Sequence, residues 1–159
     1  TLFPYTTLFR SMDELGYIEE PDMFHDVFAH VPLISNRAYC NFFEGISRLA
    51  LQYNCHPKVV EMLGRLYWYT IEFGMIKEKG QLKIYGAGII SSSEETKHCM
   101  SGVPVFAYDV EEIFNSDFRT DQLQEKYFAI ESFEQLYKSL PQIAERVREV
   151  MEGVVVSRF

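Results

Sequence analysis

A predicted helix from Pro57 to about Ile76 carries one glutamate, Glu72, among aromatic residues near its end. Any fold of this chain must accommodate that carboxylate. The helix has apolar side chains on one face, at Val59, Leu63, Leu66 and Phe73. Near its end, in the stretch LYWYTIEFG (66–74), Glu72 is the only charged group. Burying an unpaired carboxylate is costly. Glu72 therefore indicates either exposure to solvent or a cation beside it.

Two histidines, His25 and His30, lie five positions apart in EPDMFHDVFAH (20–30), within a helix predicted to begin near Pro21 and stop near Pro32. On a regular α-helix this spacing points the two side chains about 140° apart. They can face one ion only if His25 lies at an irregular helix end, or if the turn between them widens to a π-type turn. From spacing alone, partly exposed helix histidines are the simpler interpretation.

Together with Glu72, the two histidines would form a set of two imidazoles and one carboxylate. Such a set holds non-heme Fe(II) and leaves coordination positions free for other ligands. A zinc-dependent hydrolase that uses the same residues is an alternative of a different class. A non-catalytic helical domain, in which His25 and His30 merely pack, is a second alternative.

The rest of the chain predicts one mainly α domain with a small β component. A helix is expected from Asn36 or Arg37 to about Tyr53, and another begins near Glu111. Short strands are expected within Gln81–Ile90, Val103–Val110 and Lys126–Ile130. The last segment, 132–153, predicts a helical pair interrupted at Pro141.

The first residues, TLFPYTTLFRS (1–11), resemble the in-frame translation of a short-read sequencing adapter and are excluded from the fold prediction. Residues 12–153 are predicted to form one domain, and residues 154–159 a tail. No long apolar run predicts a membrane span.

The formal net charge of −8 disfavours binding to nucleic acid or to an anionic membrane and favours small-molecule partners. The cysteines, Cys40, Cys55 and Cys99, are odd in number and lack paired CxxC spacing. This pattern favours a reducing compartment, by default the cytoplasm. A monomer is expected, because the chain has no predicted oligomerisation helix after Gly153.

Four motifs in order resemble the tetrahydropterin-dependent aromatic amino acid hydroxylase family. They are EPDMFHDVFAHVPL, LYWYTIEFG, KIYGAGIISSSEET and FRTDQLQEKYFAIESFEQL, and FHD at residues 24–26 is most similar to the bacterial phenylalanine hydroxylases. The resemblance implies the catalytic-domain fold of that family, mainly α with a small β component (α+β) and truncated at the N-terminus. Residues 12–153 would then be a partial catalytic domain. It also implies an oxidoreductase that hydroxylates phenylalanine to tyrosine with Fe(II), a tetrahydrobiopterin-type pterin and dioxygen, or a hydroxylase of tryptophan or another aromatic amino acid.

The same resemblance implies the role of individual residues. The iron ligands would be His25, His30 and Glu72. The residues that line the amino-acid pocket would be Pro21, Trp68, Phe73, Gly88 and Ser91. Asp26 and Tyr67 would lie on the pterin side, and Glu95 would be a glutamate behind or beside the active site. His56, His98 and Cys99 match nothing catalytic and are expected to be structural or exposed.

The chain departs from the family pattern at several positions. Ala29 replaces the glycine that usually precedes the second histidine, and SSSEE lacks the usual glycine before Glu95. In the family, a segment upstream of the histidine motif supplies part of the pterin loop and an arginine that binds the substrate carboxylate. Arg10 lies close to that position but belongs to the excluded segment, so this role is not assigned to it.

Overall fold

The structure is a computed structural model that describes residues 10–11, 16 and 21–153. Residues 1–9 and the predicted tail, 154–159, lie outside the described residues. The helices are a π-helix at His25–His30, a 3-10 helix at Val31–Ser35, α1 (Arg37–Gln52), α2 (Pro57–Tyr67) continued by a π-helix at Trp68–Glu72, α3 (Ala87–Ile90), α4 (Ser93–His98), α5 (Val110–Phe114) and α6 (Phe133–Met151). The strands are β1 (Gly74–Glu78), β2 (Gln81–Ile84), β3 (Val105–Ala107) and β4 (Tyr127–Ile130). The mainly α fold with a small β component is confirmed.

Helix α1 begins where it was predicted, because Asn36 caps it. The Asn36 side chain accepts a hydrogen bond from the Tyr39 backbone N–H at 3.0 Å, which satisfies one of the free donors of the first turn. The buried face of α1, with Phe42 and Ile46, packs against α6 in the main core. The apolar side chains of α1 and α6 therefore form one helical layer of the fold.

The predicted break at Pro141 is wrong, because α6 continues through the proline from Phe133 to Met151. A proline inside a helix removes a backbone hydrogen bond and costs about 3 kcal/mol. On either side of it, Leu136, Ile143 and Val147 are fully buried in the main core. Each such side chain stabilises the fold by about 1.5–3 kcal/mol, so the continuous buried face outweighs the proline.

The sheet has the strand order β2-β1-β4-β3. Strands β1 and β2 form an antiparallel hairpin whose turn places Lys79 and Gly80 at positive φ, whereas β4 pairs in parallel with β1 and β3. The predicted helix to Ile76 ends instead at Glu72, because Ile76 pairs with Ile130 in the sheet. The stretch predicted as strand and turn at Gln81–Ile90 is a strand only to Ile84 and ends in the short helix α3.

The central strand β4 is buried along its whole length and separates two clusters of apolar side chains. Phe128 and Ile130 point into the main core with the helices, and Tyr127 and Ala129 point to the opposite face. This alternation follows from the two-residue period of a strand. The smaller cluster on the second face includes Phe73, which is the residue directly after Glu72. The sheet therefore fixes the position of the C-terminal end of α2 and of Glu72.

Among the described residues, no helix is both long enough and apolar enough to cross a bilayer.

Candidate metal centre and adjoining pocket

The two histidines lie on a π-helix, as their spacing requires if they are to converge. The Val31 backbone N–H donates to the Asp26 carbonyl five residues earlier, which is the hydrogen bond that defines a π-helical turn. The wider turn brings His30 back to the face occupied by His25. The prediction that an irregular turn separates the two histidines is confirmed.

Glu72 is also presented by a π-helical turn, at the end of α2. The Phe73 backbone N–H donates to the Trp68 carbonyl at 2.8 Å, again over five residues. Gly86 allows the chain to pack closely behind this turn, since a Cβ added there would lie 2.4 Å from the Glu72 carbonyl oxygen. The turn and the segment after β2 therefore hold the backbone of Glu72 from both sides.

The three predicted metal ligands meet at one point. The Nε2 atoms of His25 and His30 lie 2.9 Å apart, and they lie 3.5 and 3.3 Å from the Oε2 and Oε1 atoms of Glu72. Donor atoms about 2.1 Å from a shared ion are separated by about 3.0 to 3.4 Å for right-angle to tetrahedral coordination. The observed distances therefore fit a metal ion bound by these three side chains, and among the described residues this is the one such group of histidine, cysteine and acidic side chains.

The protonation states of the site suit a cation. Burial lowers the pKa of His25, which favours the neutral imidazole that binds metals. Burial alone would raise the pKa of Glu72, but hydrogen bonding to His30 and the nearby imidazoles hold that pKa below its usual value. The surroundings therefore favour a neutral His25 imidazole and a charged Glu72 carboxylate.

Ser91 orients His25. The Ser91 hydroxyl lies 2.9 Å from His25 Nδ1, so the other ring nitrogen, Nε2, is left to face His30 and Glu72. A partner on the second nitrogen fixes the ring orientation and tautomer of a metal-binding histidine. Ser91, predicted from the family resemblance to bind substrate, thus contacts a metal-facing side chain directly.

A pocket of about 310 Å³ opens beside the three ligands. All five residues assigned to the amino-acid pocket line it, namely Pro21, Trp68, Phe73, Gly88 and Ser91. Ser92 and Thr120, which the sequence did not single out, line it as well. Trp68 and Phe73 stack with ring centroids 4.4 Å apart, and Gly88 leaves room for Phe73, because a Cβ there would lie 2.7 Å from the ring. The metal centre therefore adjoins an aromatic wall.

The two residues assigned to the pterin side differ in position. Tyr67 lines the pocket, and burial followed by the Glu72 carboxylate raises its pKa well above the ordinary range. Asp26 is exposed and does not line this pocket. The pocket therefore brings Tyr67, but not Asp26, next to the metal ligands.

Other candidates lie away from the pocket. Glu95 is fully buried and contacts Tyr127 and Gln124. Cys99 lies in the smaller apolar cluster, His98 binds the Gln124 carbonyl, and His56 is partly buried. The buried Ala29 fits its position on the π-helix.

Asp22 is a residue that sequence analysis missed. It is 1% exposed, and its Oδ1 accepts a hydrogen bond from the His25 backbone N–H at 2.9 Å. Its position three residues before His25, after a proline, is the available signal, since such acids accept backbone donors of a first helical turn. Asp22 therefore anchors the start of the segment that carries His25.

Arg10 binds Asp22 through two side-chain hydrogen bonds, from Nε at 2.9 Å and from the terminal nitrogen at 2.8 Å. It also donates to the Ser91 carbonyl. The hydrogen bonds from Arg10 hold the pKa of Asp22 well below its usual range. The exclusion of residues 1–11 from the domain stays a prediction, but Arg10 packs against the segment that carries His25.

The chain is similar in sequence to proteins of a known family. Residues 1–154 match the family described as biopterin-dependent aromatic amino acid hydroxylase. Phenylalanine-4-hydroxylase of Ralstonia nicotianae is 40% identical over 137 residues, which are 85% of this chain and 44% of the relative. The chain thus spans about half the length of the curated relatives it matches.

Solved structures of phenylalanine hydroxylase from Chromobacterium violaceum are similar in fold. The structure with bound oxidised Fe(III) has a TM-score of 0.83 at 37% identity, and the match covers 94% of this chain and 55% of that one. The structure with bound iron(III) and the oxidised cofactor 7,8-dihydrobiopterin has a TM-score of 0.80 at 37% identity, with 92% and 54% covered.

Proposed function

Because this chain belongs to the biopterin-dependent aromatic amino acid hydroxylase family, we propose that it is the metal-binding part of a phenylalanine 4-hydroxylase. The reaction would convert phenylalanine to tyrosine with Fe(II), a tetrahydrobiopterin-type pterin and dioxygen. The observation that carries the proposal is the convergence of His25, His30 and Glu72 beside an aromatic-walled pocket. Tryptophan and tyrosine are the related substrates that the test below distinguishes.

Ferrous iron is the ion that we propose for this site. Two imidazoles and one carboxylate hold non-heme Fe(II) with positions left open, whereas catalytic zinc sites use a similar set for hydrolysis. The donor distances accommodate either ion, so the family match favours iron. When bound, iron and pterin supply the activation of dioxygen and the electrons for ring hydroxylation.

The protein's own residues would bind and orient the reactants. His25 and His30 would bind iron through Nε2, and Glu72 would offset part of its charge. Trp68 and Phe73 would form the apolar wall against which the substrate ring lies and from which water is excluded. Gly88 leaves the Phe73 ring the space it needs to form that wall.

On the pterin side we place Tyr67 and Asp26. The Tyr67 hydroxyl stays protonated because burial and the neighbouring Glu72 carboxylate raise its pKa, so it serves as a hydrogen-bond donor. Asp26 directly follows His25 and is exposed. Cys40, Cys55 and Cys99 are all free thiols, which supports a reducing, cytoplasmic setting. We expect the chain to be a monomer.

The test separates metal binding from turnover. The chain is loaded anaerobically with Fe(II), and bound iron is counted before and after His25→Ala. Oxygen uptake is then followed with tetrahydropterin and, in turn, phenylalanine, tryptophan or tyrosine. We expect one iron per chain, its loss in the variant, and uptake that depends on phenylalanine. Iron binding that survives His25→Ala contradicts the ligand assignment, and hydrolytic activity with zinc but no oxygen uptake favours the hydrolase.

A further inference from the structure

We infer that Gln124 is a positioning residue that fixes Trp68, and through it the aromatic wall of the substrate pocket. The role of that wall rests on the proposed function. Gln124 does not line the pocket and lies in the loop between α5 and β4. It is 4% exposed, so its polar groups must find partners within the protein.

The amide of Gln124 binds the indole of Trp68. The Trp68 Nε1–H donates to Gln124 Oε1 at 2.9 Å. The Gln124 amide nitrogen donates to the carbonyls of Arg119 at 2.8 Å and Gln122 at 3.1 Å. Exchanging the amide oxygen and nitrogen would oppose donor to donor and acceptor to acceptor at all three contacts. The hydrogen bonds therefore determine the orientation of the amide and aim its oxygen at Trp68.

The backbone of Gln124 is held by helix α4. Its N–H donates to Glu95 Oε1 at 3.2 Å, and its carbonyl lies 3.0 Å from His98 Nε2. Glu95 is itself fully buried and accepts a second hydrogen bond from the Tyr127 hydroxyl. Glu95, which does not line the pocket, is thus connected to the substrate wall through Gln124.

The hydrogen bond from Trp68 to Gln124 fixes the in-plane position of the indole, which aromatic stacking alone does not fix. Trp68 lies between Phe73 and Phe118, at centroid distances of 4.4 and 4.5 Å and interplanar angles of 29° and 17°. Stacked rings fix the plane of the indole, but they leave it the small in-plane freedom that its covalent link through Cβ allows. The indole has one polar atom, and its bond to Gln124 removes this freedom. The edge that Trp68 presents to the pocket is therefore set by Gln124.

The chain offers a direct probe, because Trp68 is its one tryptophan. Gln124→Met removes the acceptor at similar length, and Gln122→Met is the matched control, since Gln122 is exposed and contacts Gln124 through its backbone carbonyl. We expect Gln124→Met to shift Trp68 emission and to accelerate solvent exchange of its indole N–H, and Gln122→Met to change neither. Unchanged emission in folded Gln124→Met overturns the inference.

Substrate binding tests the consequence of that contact. For the Fe(II)-loaded chain we expect Gln124→Met to raise the Kd for phenylalanine about tenfold, as the loss of one buried hydrogen bond allows, with iron affinity unchanged. In a Trp68→Phe background the same substitution should have no further effect on this Kd. An additional tenfold rise there contradicts action through Trp68.

Two outcomes separate this inference from the proposed function. If Gln124→Met does not fold, the indole N–H of the wild-type chain decides, because slow solvent exchange of that proton supports the bond and fast exchange overturns it. A wild-type chain that binds no phenylalanine contradicts the proposed substrate. The emission and exchange measurements need neither iron nor turnover, so they still decide whether Gln124 positions Trp68.

Discussion

The π-helices and the long α-helices of this protein differ in what their side chains must do. The segments that carry the metal-facing residues, His25–His30 and Trp68–Glu72, are π-helical. Helices α1 and α6, which pack against each other, are regular α-helices, and α6 remains so even through Pro141. A regular helix suits continuous packing along one face. A widened turn is used where side chains five residues apart must meet.

The largest effect should come from Glu72→Ala in the metal centre. Structural zinc sites bind their ion with a free energy of about 10–16 kcal/mol, which is shared among several ligands. By the same measure, the loss of one of three ligands should weaken Fe(II) binding about a thousandfold. Anaerobic titration measures the affinity, and thermal unfolding shows whether the helices persist. The control is Glu131→Ala, which removes an exposed carboxylate paired with Lys77. Fe(II) affinity within tenfold of wild type would remove Glu72 from the ligand set.

The second prediction concerns the regular helix α6, which lies away from the metal centre. Ile143→Ala should lower the free energy of unfolding by about 3 kcal/mol, because the residue is fully buried between α6 and the core. Fe(II) affinity of the folded protein should stay the same. Urea unfolding and titration check both quantities, with the exposed Leu51→Ala as control. A parallel loss of iron affinity would show that the two regions are not independent.

A smaller effect is expected where Ser91 orients His25. Ser91→Ala removes the hydroxyl at 2.9 Å from Nδ1 and should weaken Fe(II) binding about tenfold without changing the number of ions bound. Ser101→Ala, in an exposed turn, is the control. If Ser91→Ala binds iron as tightly as wild type, the ring is oriented by other contacts.

The smallest effect concerns pH and Glu95, which lies outside both regions. Burial raises the pKa of Glu95 in the folded state, so this residue favours folding when it is protonated. That contribution is present below pH 4.5 and is lost as pH rises through the raised pKa. Glu95→Gln keeps an acceptor for Tyr127 and Gln124, and its unfolding free energy should fall less than that of wild type between pH 5 and 8. An identical pH dependence would indicate that Glu95 titrates normally.

The sequence predicted the family, the fold class and the three ligands, because these follow from local motifs. The family resemblance and the mainly α fold are confirmed. Spacing also predicted the irregular turn at His25–His30, since two side chains five positions apart cannot face one ion on a regular α-helix. Local signals failed at Pro141 and at the end of α2, where burial and sheet pairing outweigh the preferences of single residues.

Only the tertiary structure decided which residues support the site from a distance. The contacts of Asp22 with Arg10, and of Trp68 with Gln124, join residues 12 and 56 positions apart. A hydrogen bond between such residues leaves no periodicity in the sequence, because the partners come from separate elements that the packed core brings together. The sequence by itself determined which chemical groups this protein has, and the fold decided which of them hold the others in place.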